Sequence, residues 1–339
     1  MLFRCFRAFA ALGFAAWLVL PQSAAAQSAP STIQQRLNEV GADLFSATPD
    51  AERAIGELQD ILAAAPDLAE AHLLLGIAYR MQGSPDMLGE AIAELRQALA
   101  LKPSLLLARV TLARLYLDMA RPGRARDELE TALEAAPGHP QLLSLMAETE
   151  RQTGSPARAI ELAEGALRGD PGFVQARYYM GLALLDLGQH ARAVEQMELV
   201  VKSGINPAEG YYGLGVAYLE AGRVNDALAS LREAARLAPS RAEVQIHLGR
   251  AYRLRGLLAD AEKALKAAMP SGEASLSELY HHLESDLYME QGLLRVAQGR
   301  LEAAAQAFQK VLTIDADHEP AKRHLAEVRK RLQERAGKK

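Results

Sequence analysis

A short run of acidic and histidine side chains near the C-terminus has the residue types and the spacing of a metal site. Glu278, His282 and Asp286 follow one another at intervals of four residues, with His281 beside them. On a helix this spacing places the three side chains on one face, where carboxylate and imidazole groups could bind a transition metal. Such residues are also common on exposed helix surfaces. We therefore favour a solvated surface and predict no metal site and no cofactor.

The rest of the sequence lacks the motifs that carry most enzyme chemistry. It contains no Gly-x-Gly-x-x-Gly or Walker-type phosphate loop, no Gly-x-Ser-x-Gly motif and no His-Glu-x-x-His pair. Its paired carboxylates recur on helical surfaces where solvated charge is expected. Because a function must be argued from a site and none assembles here, we predict that the protein is not an enzyme.

The first 26 residues have the features of a secretory signal peptide. Arg4 and Arg7 give a positive start, and residues 8–20 form an apolar stretch that is short for a bilayer span. A small-x-small exit ends at Ala26, so cleavage is predicted there. The predicted location is periplasmic or secreted. The alternative is a membrane anchor that is not cleaved.

Removal of this leader changes the chemistry that remains. Cys5 and Trp17 are the only cysteine and the only tryptophan, and both lie in it. The mature chain then has no thiol for a disulfide, a metal or a nucleophile. Loss of Arg4 and Arg7 moves the net charge from −4 to −6. A mildly acidic chain has no general attraction for nucleic acid, so nucleic acid is not a predicted partner.

The strongest pattern in the sequence is a repeat of 34 residues. Three series of small or short apolar residues recur in register at this interval, apart from a first-series step of 37 and final steps of 43. Small residues at fixed places let the backbones of two helices approach, so the pattern predicts a repeated helix–turn–helix. The series are Gly76, Ala113, Ala147, Gly181, Gly215, Gly249, Gly292; Ala91, Ala125, Ala159, Ala193, Ala227, Ala261, Ala304; and Ala98, Ala132, Ala166, Val200, Ala234, Ala268, Val311.

This pattern resembles that of the tetratricopeptide repeat family. Segments 72–79 and 211–218 both end in Leu-Gly-x-x-Tyr, and prolines such as Pro103 close several repeats. The resemblance implies an all-α fold, a right-handed α-solenoid of about seven to eight helix–turn–helix repeats with a C-terminal capping helix. The implied organisation is a signal peptide at 1–26, a degenerate repeat or cap at 27–68, an array of seven repeats at 69–318, and a basic capping helix and tail at 319–339.

Departures from the family pattern mark individual repeats. The third repeat has Glu150 where tyrosine is expected, and small insertions fall near 84–86 and 269–276. Inserted loops can serve binding, although a tolerated loop is the simpler interpretation. No repeat keeps the family's tryptophan, whose place is taken by His72, Arg109, Leu143, Arg177, Tyr211, Gln245 and Tyr288.

In the family, the first helix of each repeat lines a concave surface. The first repeat has Leu73 and Ile77 where clamp-type members use Lys and Asn to hold a peptide C-terminus. Such a clamp is therefore not predicted. The fourth and fifth repeats instead supply tyrosines and apolar residues flanked by arginines, types that are enriched at binding hot spots or serve as anchors. The predicted partner-binding residues are Arg114, Arg151, Tyr178, Leu182, Leu185, Tyr212, Val216, Leu219, Arg250 and Arg253.

The alternative for Tyr178 and Tyr212 is that they only pack between neighbouring repeats. The function favoured by the sequence is a periplasmic scaffold or adaptor that binds other proteins or extended peptide segments in an envelope assembly or export machine. The alternative is a chaperone-like protein, or one that binds peptides or glycans in its groove. The basic residues of the last segment most simply form a solvated cap, although they could contact an acidic partner or a membrane surface. They are Lys322, Arg323, Arg329, Lys330, Arg331 and Arg335.

Overall fold

The computed structural model describes residues 31–46, 48–269 and 281–336. In these ranges the chain forms seventeen α-helices and no strand, which confirms the predicted all-α repeat solenoid. None of the helices described is long and apolar enough to cross a membrane. The predicted leader and nearly all of the 269–276 insertion lie outside the described residues. The helices are α1 Ser31–Leu44, α2 Ala51–Ala64, α3 Ala69–Gln82, α4 Pro85–Leu101, α5 Leu106–Asp118, α6 Pro122–Ala135, α7 Pro140–Gln152, α8 Pro156–Gly169, α9 Val174–Asp186, α10 His190–Lys202, α11 Pro207–Glu220, α12 Val224–Leu237, α13 Ala242–Leu254, α14 Leu258–Ala267, α15 His281–Ala297, α16 Leu301–Ile314 and α17 Glu319–Ala336.

The chain divides into two compact units, one ending at Gly188 and the other beginning at Gln189. The N-terminal unit holds helices α1 to α9, and the C-terminal unit holds α10 to α17. Within each unit, consecutive helices pack against each other. We call the first helix of each repeat its A helix and the second its B helix. The A-helix face of a unit is the surface formed by its A helices, α3, α5, α7 and α9 in the N-terminal unit and α11, α13 and α15 in the C-terminal unit.

Where both helices of a repeat lie in the same unit, the periodic small residues lie where the two helices meet. All fourteen members of the second and third series are at most 5% exposed. A Cβ atom built on Gly76 of α3 would lie 2.7 Å from Leu95 Cγ and 3.2 Å from the Ala91 carbonyl oxygen of α4. On Gly215 of α11 it would lie 2.6 Å from Leu231 Cγ of α12. These distances leave no room for a methyl group, so glycine sets how closely the A and B helices approach.

The closing prolines act as predicted, and their carbonyl groups have a further role. Helices α4, α6, α8 and α12 each end two residues before a proline, which cannot donate the backbone hydrogen bond that would continue the helix.

In four repeats, the side chain at the tryptophan place lies within hydrogen-bonding distance of a proline carbonyl oxygen six residues earlier. The pairs are His72 Nε2 with Pro66 at 2.8 Å, Arg109 with Pro103 at 3.4 Å, Arg177 with Pro171 at 2.8 Å, and Gln245 with Pro239 at 3.0 Å. The place that lacks tryptophan is therefore used for hydrogen-bond donors.

The repeated tyrosines connect four of the A helices to the preceding B helix. In four repeats the tyrosine hydroxyl forms a hydrogen bond with a polar side chain twenty residues earlier, so the same register recurs along the chain. The pairs are Gln59 with Tyr79 at 3.1 Å, Arg96 with Tyr116 at 2.9 Å, Glu198 with Tyr218 at 2.8 Å, and Arg232 with Tyr252 at 3.1 Å. In the third repeat, Glu150 takes the tyrosine place and pairs instead with Arg126 at 3.1 Å.

Two departures from the repeat pattern differ in detail from the sequence interpretation. The extra residues near 84–86 lie at the start of α4, which has 17 residues, rather than in a longer turn. The Ser84 side chain accepts a hydrogen bond from the Met87 amide there, as an N-cap does. The sequence pattern makes Pro207 the late closing proline of the fourth repeat. It instead occupies the first turn of α11, where its missing amide proton is not needed, and does not end the helix before it.

The last helix covers the end of the C-terminal unit. Leu325 and Val328 of α17 are buried against Phe308 of α16, while Arg323 and Lys330 are exposed. Helix α17 thus has one apolar face and one charged face, as a terminal repeat element needs to remain soluble.

We expect the substitution Gly76→Ala to destabilise the N-terminal unit, because the new methyl group must displace Leu95. The expected loss in the free energy of unfolding is about 1–3 kcal/mol, measured by urea denaturation with circular dichroism. Gly56→Ala is the matched control, since a Cβ atom on this exposed glycine of α2 would have no neighbour within 4 Å. It should be neutral or stabilising by up to about 1 kcal/mol. Equal effects of the two substitutions would contradict the role given to Gly76.

Candidate protein-binding face

Two arginines on the A-helix face of the N-terminal unit pair with carboxylates of the next A helix. Arg80 of α3 contacts Asp118 of α5 at 2.8 Å, and Arg151 of α7 contacts Asp186 of α9 at 3.2 Å. Arg151 also lies 2.9 Å from Glu148 on its own helix. The charge of Arg151, a predicted partner-binding residue, is therefore balanced within the chain.

The arginines predicted in the C-terminal unit are also paired. Arg250 of α13 contacts Glu220 of α11 at 2.9 Å and Glu290 of α15 at 3.8 Å. Arg253 contacts the same Glu290 at 2.9 Å. These pairs connect three successive A helices. A partner that used Arg250 or Arg253 would compete with the chain's own carboxylates.

Arg114 of α5 is different from these arginines. Its side chain is 3% exposed, and its Nε and Nη1 atoms have no hydrogen-bond partner among the described residues. Burial lowers the pKa of Arg114 from its ordinary value, and the nearby Arg80 acts in the same direction, whereas Tyr179 and the Asp118 carboxylate oppose the shift. A guanidinium remains charged at any physiological pH even so. Arg114 is thus a buried cation, and two of its three nitrogen atoms have no hydrogen-bond partner in the described part of the chain.

The predicted tyrosine of the N-terminal unit is largely buried. Tyr178 of α9 is 8% exposed, and its ring meets that of Tyr179 edge-on with centroids 5.8 Å apart. The Tyr179 hydroxyl accepts a hydrogen bond from Gln175 at 3.2 Å. Burial raises the pKa of Tyr179 to about 12, so this phenol stays protonated. Leu182 and Leu185 are partly buried and lie on the same helix.

In the C-terminal unit, Tyr212 of α11 lies between two basic side chains. The Arg241 guanidinium is 4.5 Å from the centre of its ring, and the His247 ring meets it edge-on at 5.4 Å. Burial raises the pKa of the Tyr212 phenol above its ordinary value. Val216 is partly buried and Leu219 is buried. Each predicted tyrosine therefore packs within its own unit.

The sequence interpretation missed a pair of buried acids with a recognisable spacing. Glu70 and Glu209 are both buried near the start of an A helix. Glu70 pairs with Lys102 at 2.9 Å, and Glu209 pairs with Arg241. In both cases the basic residue follows the acid by 32 positions. This signal is present in the sequence itself, as an acidic residue near the start of an apolar helix followed 32 positions later by a basic residue.

The acidic and histidine run near the C-terminus is only partly described. Glu278 lies outside the described residues, as do the side chains of His281 and His282, and Asp286 is exposed on α15. The parts of the chain that are described contain no group of three His, Cys, Asp or Glu residues able to hold a metal ion.

Comparison of the sequence with models of protein families identifies the family of this helical-repeat protein. Three models, each described as a tetratricopeptide repeat, match the sequence, and one of them alone covers more than half of it. The chain therefore belongs to the tetratricopeptide repeat family. The matches lie at residues 41–105, 145–210 and 212–275 for one model, 87–149 for the second and 285–318 for the third. Among curated protein sequences the chain has no match.

Solved structures share this fold at low sequence identity. A tetratricopeptide repeat protein from Parabacteroides merdae is 16% identical with a TM-score of 0.55, covering 77% of this chain and 98% of its own. The human IFIT1 dimer with m7Gppp-AAAA is 19% identical with a TM-score of 0.62, covering 88% and 71%. The APC/C hetero-tetramer Cut9–Hcn1 is 12% identical with a TM-score of 0.68, covering 89% and 58%. At these identities the likeness concerns the fold alone.

We expect Tyr178→Ala to lower the free energy of unfolding by about 3 kcal/mol, because a buried aromatic ring is removed and the site cannot fully collapse. Leu182→Ala, on the same helix but only partly buried, should cost less. Chemical denaturation of the two variants makes the comparison. If Tyr178→Ala unfolds like the unmodified protein, its ring is available to a partner rather than needed for packing.

Protonation of His247 should contribute to the loss of folding stability as the pH falls. Burial lowers the pKa of His247, and Arg250 adds to this, whereas the carbonyl of Glu243 and the carboxylates of Asp286 and Glu290 oppose it. The unfolded chain therefore takes up this proton first as the pH falls, and stability is lost below about pH 6.5, the ordinary histidine pKa.

His247→Gln keeps a donor for the Glu243 carbonyl and removes the titration. Between about pH 7.5 and 5.5, its free energy of unfolding should fall less than that of the unmodified protein. Denaturation curves at several pH values test this, and parallel losses would show that His247 does not contribute.

Proposed function

We propose that this protein is an exported scaffold that binds other proteins along its A-helix faces, within an envelope assembly or export machine. Tetratricopeptide repeats generally bind proteins or peptides, and family membership over most of the chain is the observation that carries the proposal. The leader pattern at residues 1–26 supports a location outside the cytoplasm.

The distribution of charge on the A-helix faces supports protein binding over catalysis. Apart from Arg114, the arginines discussed above form ion pairs with carboxylates of neighbouring A helices. Side chains that remain partly accessible beside these pairs are apolar, such as Leu182, Leu185 and Val216. Apolar anchors within a polar border are the usual composition of a peptide-binding groove.

Site-specific photocrosslinking in living cells tests which surface binds. A photoreactive amino acid at Leu185 or Val216 should yield discrete crosslinked species identifiable by mass spectrometry. The control position is Glu130, which is exposed on the B helix α6. Crosslinks from Glu130 but from neither A-helix position would place binding on the other surface.

Two further measurements separate the proposed role from its alternatives. Fractionation with N-terminal sequencing should find a mature protein that begins after Ala26 outside the cytoplasm, and a cytosolic full-length chain would contradict this. A crosslinked partner peptide should lose binding when its sequence is scrambled. Equal binding of the scrambled peptide would indicate a chaperone-like protein instead of an adaptor.

A further inference from the structure

His72 of α3 makes two contacts at the start of the repeat array. Its Nε2 atom lies 2.8 Å from the carbonyl oxygen of Pro66, in the turn after α2, and its Nδ1 atom lies 2.5 Å from an oxygen of the Glu94 carboxylate on α4. The His72 side chain is only 12% exposed, so water has little access to replace these contacts. We call α1 and α2 the N-terminal cap. His72 thus links the end of this cap to both helices of the first repeat.

Both atoms that face the imidazole are hydrogen-bond acceptors. A carbonyl oxygen and a carboxylate oxygen have no proton to donate, and a neutral imidazole has a single N–H group. When Nε2 donates to Pro66, a second proton must therefore lie between Nδ1 and Glu94, on either of the two atoms. Without that proton, a nitrogen lone pair faces a carboxylate oxygen at 2.5 Å, and the contact becomes repulsive. The closed arrangement holds one proton more than a neutral histidine and an ionised glutamate together.

The second repeat has a permanent cation at the place of His72. Arg109 lies four residues before the small residue of its A helix, as His72 does. Its guanidinium donates to the Pro103 carbonyl at 3.4 Å and to Glu128 at 3.1 Å. Glu94 and Glu128 also correspond, because each lies three residues after the small residue of its B helix. The same two acceptors therefore meet a donor that always carries its charge in the second repeat, and one that can lose it in the first.

The sixth repeat shows that a neutral donor also fits this place. Gln245 donates to the Pro239 carbonyl at 3.0 Å, and Ala264 stands where the first two repeats have glutamate. Because this B helix has no carboxylate there, the donor needs no charge. The chain itself thus supplies two matched replacements for His72, a charged arginine and a neutral glutamine.

The other charged groups near His72 do not take over the role of Glu94. Within one helical turn of the two contacts along α2, α3 and α4, these groups are Asp67, Glu70, Glu90 and Arg96. Glu70 is paired with Lys102 at 2.9 Å, and Arg96 donates to the Tyr116 hydroxyl at 2.9 Å. Asp67 and Glu90 are exposed to solvent. Among the described residues, Glu94 is therefore the charged group that decides whether His72 can donate at Nδ1.

We infer that His72 and Glu94 form a proton-operated latch that fastens the N-terminal cap to the first repeat. With the shared proton in place, the imidazole closes on both Pro66 and Glu94. Loss of the proton breaks the Glu94 contact, and the cap then separates from the first repeat more often. Because the closed latch binds a proton that the open latch releases, its stabilisation is present in acid and is lost as the pH rises. Histidine side chains ordinarily change charge between about pH 5 and about pH 8.

The direction of this effect is opposite to that expected for His247 in the C-terminal unit, where burial disfavours the protonated form. Denaturation of the whole chain combines the two effects, so the test must observe the N-terminal cap by itself. The latch lies within the N-terminal unit and does not depend on the proposed function.

Hydrogen–deuterium exchange followed by mass spectrometry observes the cap in the full chain. The readout is the exchange rate of peptides from residues 58–71, at the end of α2 and the start of α3. The unmodified protein is compared with His72→Arg at the same pH, so that the pH dependence of the exchange chemistry cancels. Between about pH 5.5 and about pH 8, the ratio of the two rates should rise about tenfold, the factor that corresponds to one hydrogen bond to a charged group. A ratio that does not change with pH would overturn the inference.

Two further variants separate the latch from a general effect of pH. In Glu94→Gln the carboxylate is gone and the side-chain amide can donate to a bare Nδ1, so its rate relative to His72→Arg should not rise with pH. His72→Gln keeps a donor for the Pro66 carbonyl without titrating and should behave in the same way. If His72→Arg does not fold, His72→Gln takes its place as the reference. Peptides from α16 in the C-terminal unit should exchange equally in all four proteins at a given pH. A tenfold rise that persists in Glu94→Gln would show that Glu94 takes no part, and would overturn the inference.

Discussion

The close approach of the A and B helices of a repeat is the constraint on which the rest of each unit depends. Leu95 covers Gly76, and Phe308 covers Gly292 so closely that a Cβ atom there would lie 2.5 Å from its ring. Because the helices meet at the small residues, every other place in the repeat acquires a fixed environment. The residue directly after the small residue lies on the A-helix face. In four repeats, the residue three positions after the small residue is a tyrosine that contacts the preceding B helix.

Because the register is constant, the hydrogen bonds made near the helix ends also recur from repeat to repeat. A helix leaves its last carbonyl groups without intrahelical partners. The proline after several B helices stops the helix, and a side chain from the next A helix donates to the proline carbonyl. The hydrogen bonds of the tyrosine hydroxyls repeat at a spacing of twenty residues. Apolar packing between helices is thus accompanied by polar links in the same order along the chain.

The sequence predicted the fold because its signal comes from single residues at a constant interval. Ala91, Ala98 and their equivalents are buried as the period of 34 requires. The roles of the arginines were less accessible to sequence reasoning. Arg151 was predicted to bind a partner, yet Asp186, which pairs with it, lies 35 residues away on another helix. Such a pair becomes visible only when adjacent repeats are superposed in register, and the side-chain directions then decide which of several acids is reached.

The same difficulty affected the candidate site. Tyr178 and Arg114 have residue types common at binding hot spots, and nothing in their own helices shows that both are buried. Both side chains lie on A helices that pack against neighbouring A helices, and these neighbours are distant in the sequence. Pro207 illustrates the converse case. A proline two places later than the pattern expects changes role from ending one helix to beginning the next.

The pairing of most arginines limits how a partner can bind to the A-helix faces. An acidic segment placed over Arg151, Arg250 or Arg253 must displace Glu148, Glu290 or other carboxylates of the chain, and gains little from the exchange. Substituting one of these arginines leaves a carboxylate without its partner, so weaker binding would be mixed with lower stability.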